Sequence, residues 1–252
     1  MRKNILITGA SSGLGAGMAR IFAAKGHNLA LTARRLDRLE ALKAELLAAH
    51  GDIDVEVYAL DVNDHNQVFE VFKKATKDLG GLDRVIVNAG LGKGGRIGTG
   101  RFEANRETAM TNFVAALAQC EAAMEHFYER KAGHLVVISS MSAMRGMPGS
   151  MNTYAATKAG IAHLAEGIRS DLIGRKDHDI LVTTIYPGYI ASEMNEKVGQ
   201  EQRLMVDTDT GCRELVKAIN KEPVDAAVPQ WPWAALGVVM KNAPLSVVRR
   251  MV

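Results

Sequence analysis

Short apolar runs alternate with longer stretches in which apolar residues recur every three or four positions. Asn4 to Thr8 (Asn-Ile-Leu-Ile-Thr) is a compact apolar run stopped by Gly9, the pattern of a strand buried on both faces. Behind it Met18, Ile21 and Phe22 have helical spacing. A second run over residues 28–33 leads into a segment whose Leu36, Leu39, Leu42, Leu46 and Leu47 share one helical face. The same reading predicts a strand over 53–60, an amphipathic helix over 67–79 and a strand over 83–87. A helix over 103–130 follows, then a strand over 134–140 ending in Ser139-Ser140, a long helix over 152–174 and a sixth strand over 180–186. Residues 193–222 read as polar helix, and residues 226–252 as an apolar tail broken by three prolines. Strands and helices alternate with no linker and no internal repeat. This predicts one α/β domain over residues 1–252, a doubly wound parallel sheet with helices on both faces.

Composition removes several classes of function. A net charge of +3 over 252 residues, with no basic block or basic stripe interleaved with aromatics, gives nucleic-acid binding no support. Cys120 and Cys212 stand in unrelated segments without metal or redox spacing, as reduced thiols of a cytoplasmic protein would. The seven histidines are scattered, so no metal site is expected. The apolar run after Met1-Arg2-Lys3 is cut short at Thr8-Gly9, too early for a signal peptide. No stretch reaches the about 18 unbroken apolar residues of a membrane span. For the tail, with Trp231, Trp233, Arg249 and Arg250, a subunit interface or core packing is the preferred expectation, ahead of docking on a membrane surface.

Three local patterns carry chemistry. The first strand runs into Thr8-Gly9-Ala10-Ser11-Ser12-Gly13-Leu14-Gly15 and then a helix. Glycines there let the backbone turn sharply and approach a pyrophosphate, whose charge rests on the N–H groups of the helix start. Arg34-Arg35 closes the second strand, about where an adenosine ribose would lie. An acidic side chain there would accept from the 2'-hydroxyl. Two guanidinium groups suit a 2'-phosphate instead, which favours NADP(H) over NAD(H). Asp37, in the helix start beyond, reads as a capping or dipole residue. In Tyr154-Ala155-Ala156-Thr157-Lys158 a phenol and an ammonium lie four residues apart on one helical face. A neighbouring ammonium favours the phenolate, so Tyr154 is expected to exchange a proton near neutral pH, as a general acid in carbonyl reduction must.

Taken in order, these motifs resemble the short-chain dehydrogenases/reductases, in the single-domain branch with TGxxxGxG and YxxxK motifs; the likeness covers residues 4 to about 192. It implies a Rossmann-type sheet and hydride transfer between a nicotinamide and a carbonyl or alcohol carbon. By resemblance Asp61 and Val62 meet the adenine, and Asn88-Ala89-Gly90 stabilises the central sheet beside the cofactor. Pro187, Gly188 and Ile190 offer backbone near the nicotinamide, and Ser192 supplies a hydroxyl for cofactor phosphate. Asn112 kinks its helix and holds a water for a proton relay. Lys158 also holds the nicotinamide ribose, and a serine polarises the carbonyl. Ser140 lies fourteen positions before Tyr154, one more than is common in the family; it is preferred because it ends the strand and sets Gly146 and Pro148 at the family's usual offsets, with Ser142 in reserve. The family's habits further imply a lid over about 193–222, a homodimer or homotetramer, and a cytoplasmic reductase of a small carbonyl or alcohol compound. Two rival readings without turnover are a dinucleotide-sensing protein and a membrane-surface binding protein. The first has no need of Ser140, Tyr154 and Lys158 together, and the second would act through the tail from Trp231 onward.

Overall fold

The computed structural model describes residues 2–191 and 204–250. Seven strands form one all-parallel sheet: β1 (Asn4–Thr8), β2 (Asn28–Ala33), β3 (Val55–Ala59), β4 (Arg84–Val87), β5 (Ala132–Ile138), β6 (Asp179–Pro187) and β7 (Asp225–Val228). Their order across the sheet is β3-β2-β1-β4-β5-β6-β7. The chain starts in the middle, winds outward through β2 and β3, then crosses back to β4 and winds the other way. Loops therefore part at the carboxyl ends of β1 and β4, the switch point where open α/β sheets bind ligands.

Alternation along each strand divides the core into two layers. Ile5, Ile7, Leu29, Leu31, Ile86, Val136 and Ile138 point to one side, where α1 (Gly13–Ala24) and α2 (Leu36–Ala49) pack. Leu6, Ala30, Val85, Val87, Leu135 and Val137 point to the other, against α3 (His65–Asp78), α5 (Ala115–Arg130) and α6 (Met151–Leu172). Apolar residues on both faces of the central strands are what a sheet covered by helices on both sides requires. Phe22 and Phe127, both fully buried, fill opposite layers.

Several elements differ from the sequence expectation. The third strand is confined to Val55–Ala59, and the fifth runs Ala132–Ile138, so Ser139 and Ser140 lie just past its end. The helix expected over 103–130 is three pieces: α4 (Phe102–Ala109), a π-helical turn (Met110–Val114) and α5. Residues 208–220, within the stretch expected as a polar lid, form α7 (Thr208–Asn220), which buries Cys212, Leu215, Val216 and Ile219 and packs on α1. They are thus part of the sheet's outer layer. The rest of the lid expectation, over 193–203, lies outside the described residues, as does Ser192. The tail is ordered into β7, α8 (Gln230–Asn242) and α9 (Leu245–Val248). Asp225-Ala-Ala-Val has one β-branched residue, too weak a pattern to reveal an edge strand. Among the described residues no helix is long and apolar enough to cross a membrane, and no cluster of His, Cys, Asp or Glu could hold a metal.

Candidate active site

The site begins where β1 stops. Thr8 Oγ1 accepts from the N–H groups of both Asn88 and Ala89 at 3.0 Å, and Asn88 Nδ2 returns a bond to Thr8 O at 2.8 Å. This clasp holds the end of β4 against the glycine loop so closely that a Cβ on Gly9 would lie 2.9 Å from Ala89 Cα. Gly9 also has φ +67°, which a side chain resists. A Cβ on Gly15 would stand 2.3 Å from Gly9 O, so the first turn of α1 reaches the loop only with glycine there. Ser12 precedes α1 without a side-chain capping bond, and no acid stands in the first turn. The helix start is therefore an uncompensated partial positive charge with open N–H donors, the setting for an anion.

Beside it, the Arg35 guanidinium bonds to Ser11 Oγ (3.1 Å) and Ser12 Oγ (2.8 Å). Arg34 is exposed next to it. Asp61 Oδ1 accepts from the backbone N–H and the amide of Asn63, a local turn of the kind aspartate makes. Asp37 lies in the first turn of α2 but makes no capping bond there, which leaves its dipole role.

At the other end, Tyr154 and Lys158 project from α6 toward Ser140. The Ser140 hydroxyl and the Tyr154 phenol line the same cleft, and the hydroxyl lowers the phenol's proton affinity. Ser142 donates from its N–H (3.2 Å) and its hydroxyl (3.0 Å) to Ser140 Oγ, so it orients Ser140 and stands one step back from the phenol. Of the two serines left open by the sequence, Ser140 is the one brought to Tyr154. Lys158 is buried and donates from Nζ to Ile138 O at 2.8 Å, while Ser139 Oγ donates to Lys158 O at 2.7 Å. Those two bonds tie α6 to the end of β5.

Electrostatics depart from the expectation of an acidified phenol. Burial pushes the Tyr154 hydroxyl above its ordinary range, and only the Ser140 hydroxyl works against that. Lys158 Nζ sits 5.9 Å from the ring centroid and is bonded to Ile138 O, so its charge lies near the ring without a hydrogen bond to the phenolic oxygen. The ammonium itself is pushed down to about 8 by burial. Desolvation penalises each charged form.

Asn112 is 1% exposed and sits in the π-helical turn, so the interruption predicted at this residue is present. Its amide is spent on the backbone of Leu91: Oδ1 accepts from Leu91 N at 2.8 Å and Nδ2 donates to Leu91 O at 2.9 Å. Two residues that sequence reasoning missed extend this ladder along the same helical face. Thr108 donates to Lys93 O, and Asn105 bonds both Gly95 N (3.0 Å) and Gly95 O (3.1 Å). Asn105, Thr108 and Asn112 fall three and then four positions apart, and that polar spacing was the available signal. The glycine-rich loop after β4 is therefore fastened residue by residue over 91–95. Lys93 is paired with Glu107 at 2.7 Å, which compensates its charge.

These groups share one cleft of about 270 Å³. It is lined by Gly9, Ser11, Ser12, Gly13, Leu14, Gly15, Arg34, Arg35, Asp61, Val62, Asn88, Ala89, Gly90, Ser140, Tyr154, Lys158, Pro187, Gly188 and Ile190. Asn112 lies behind the wall, while its neighbour Thr111, bonded to Asn63, lines it. Ala33, Leu60, Asn63, Leu91, Ile138 and Ser139 complete the lining unforeseen. The donor set fits a dinucleotide: N–H groups and hydroxyls for a pyrophosphate at one place, guanidinium groups at the ribose end, and a phenol and an ammonium at the other.

Known proteins resemble this chain in sequence and fold. The sequence profile of the family described as short chain dehydrogenase matches residues 3–203. An uncharacterized oxidoreductase of Mycobacterium tuberculosis is 53% identical over 249 residues, covering 99% of this chain and 97% of its own. A short-chain dehydrogenase of Sphingobium yanoikuyae solved in complex with NADPH superposes with a TM-score of 0.82 at 26% identity, over 97% of this chain and 94% of that one. An alcohol dehydrogenase of Thermococcus sibiricus complexed with 5-hydroxy-NADP gives 0.77 at 28%, over 89% and 95%.

Proposed function

The chain belongs to the short-chain dehydrogenases, and from that premise we propose that it is an NADP(H)-dependent oxidoreductase acting on a carbonyl or its alcohol. The observation that carries the reading is one cleft with Arg35 braced on Ser11 and Ser12 at one end and Tyr154, Ser140 and Lys158 at the other. The NADPH and 5-hydroxy-NADP titles of the two structural neighbours support the same cofactor.

The glycine loop and the start of α1 would hold the pyrophosphate, and Arg34 and Arg35 the 2'-phosphate. Asp61 and Val62 would meet the adenine; Asn88, Ala89, Gly90, Pro187, Gly188 and Ile190 would line the way to the nicotinamide, and Ser192, outside the described residues, would supply a hydroxyl to cofactor phosphate. When bound, the nicotinamide supplies or accepts the hydride. The chain's own residues manage the oxygen and its proton. Ser140 Oγ, oriented by Ser142, donates to the substrate oxygen and holds it at Tyr154. Tyr154 Oη gives its proton to that oxygen as negative charge develops there, and recovers it from solvent. Lys158 keeps a positive charge under the ring and reaches the nicotinamide ribose. A positive charge beside Tyr154 stabilises the phenolate left behind, offsetting the burial that holds the phenol up. Because the Asn112 side chain is committed to Leu91, its part in anchoring a relay water falls to the main chain of the π-helical turn. A sensing role without turnover gives no account of Ser140, Tyr154 and Lys158 together in the cleft.

The test compares affinities for NADPH and NADH by fluorescence titration in wild type and in the double variant Arg34→Ala, Arg35→Ala. Charge-assisted bonds to a phosphate are each about 1.5–3 kcal/mol, so NADPH should weaken by ten-fold or more while NADH barely changes. Equal weakening of both would sink the NADP(H) assignment.

A further inference from the structure

Helices α8 and α9 use only one of their faces inside the chain. Trp233, Gly237 and Met240 of α8 and Val248 of α9 point inward. Met240 and Val248 pack with Met147 and Ala155, and Trp233 covers Gly188 and meets the Tyr189 ring edge-on at 5.2 Å. The helices thus lie directly over the segment between Ser140 and Tyr154. Their outer face is apolar as well. Trp231 is 80% exposed, Val238 63% and Leu245 57%, with Val239 and Val247 beside them. Large apolar side chains left in water along two consecutive helices mark an interaction surface.

Charge says which kind. Residues 226–250 contain no carboxylate but carry Lys241, Arg249 and Arg250, all exposed and without an ion pair to any described residue. Arg145, which donates to Lys241 O, adds a fourth cation at the seam. A two-fold contact between copies would bring two patches of the same positive sign together, with no carboxylate among residues 226–250 to answer them. An anionic bilayer answers all four charges and takes up the apolar face, with tryptophan at the headgroup level. We propose that α8 and α9 form a docking surface for anionic lipid, which seats the protein on a membrane through Trp231, Val238, Val239, Leu245 and Val247, flanked by Lys241, Arg249 and Arg250. The contact is peripheral, because α8 is only 13 residues long. It stands independently of what the cleft binds.

Co-sedimentation with vesicles of phosphatidylcholine alone, and with phosphatidylglycerol added at about 30%, tests it; light scattering gives the oligomeric state in parallel. Wild type should partition onto the anionic vesicles, far less onto the neutral ones, and less again as salt rises. Arg249→Gln with Arg250→Gln should lower partitioning onto the anionic vesicles roughly 30-fold, at about a factor of five for each basic residue. Trp231→Ser with Val238→Ser should lower it ten-fold or more. All four positions are exposed, and circular dichroism confirms that each variant is folded. Equal partitioning of wild type and the serine variant would overturn the proposal, as would wild type that ignores both vesicle types. A stable dimer that the serine variant breaks, with no vesicle binding, would assign the face to a second copy instead.

Discussion

Lys158→Met should make the free protein more stable at neutral pH while removing its function. Lys158 is 6% exposed, and its ammonium is pushed from 10.5 down to about 8 by burial alone. A tenfold change in proton affinity corresponds to about 1.36 kcal/mol, so keeping that charge in the site costs roughly 3 kcal/mol relative to water. Methionine keeps the apolar stem and discards the charge. It also discards the bond to Ile138 O, worth about 1 kcal/mol. The net gain at pH 7 is then roughly 2 kcal/mol, or about 4–8 °C in Tm for a chain of this size. Its pH dependence follows from linkage. Below about pH 8 the folded and unfolded wild-type chains both carry the charge, and the penalty is present in full. As pH rises from about 8 towards 10.5 the folded protein sheds the proton before the unfolded chain does, so wild-type stability climbs. The variant lacks that slope, and the gap between them should close by about pH 9.5. Urea unfolding of both proteins from pH 6.5 to 9.5, without cofactor, measures this directly. A variant less stable than wild type at pH 7, with a difference flat across the range, would refute the burial argument.

Tyr154→Phe should cut turnover of a carbonyl substrate by about 10²–10⁴-fold, the usual contribution of a positioned proton donor. Its NADPH affinity should stay within a few-fold of wild type by fluorescence titration, and unchanged turnover would remove Tyr154 from the chemistry. Gly15→Ala places a Cβ 2.3 Å from Gly9 O, so the loop must shift. NADPH should then give a much smaller thermal shift than with wild type, whereas an equal shift would mean that the loop does not depend on that close approach.

The short apolar runs located six of the seven strands, since strands buried on both faces cannot hide their composition. Thr8-Gly9 through Gly15, Arg34-Arg35 and the Tyr154–Lys158 spacing were legible for a related reason. Each is a local pattern whose residues lie within one turn of backbone or one helical face. The seventh strand was not legible, because its four residues are held in place by β6 and only weakly by their own propensity.

The sequence by itself determined the order of elements, the parallel sheet that order requires, and the residue types available for phosphate and proton chemistry. Tertiary structure decided which of them meet and in what electrical state. It put Ser140 at the phenol and Ser142 behind it, since the strand ends at Ile138 and the following turn faces Ser140 toward α6. It joined Asn105, Thr108 and Asn112 to the loop over 91–95, and turned α7 into part of the outer layer by packing it on α1. It also holds the Tyr154 phenol above its ordinary range in the free protein. A spacing of four says that phenol and ammonium share a helical face; only the surrounding protein sets how much water each has lost, and it bonds the ammonium to Ile138 O.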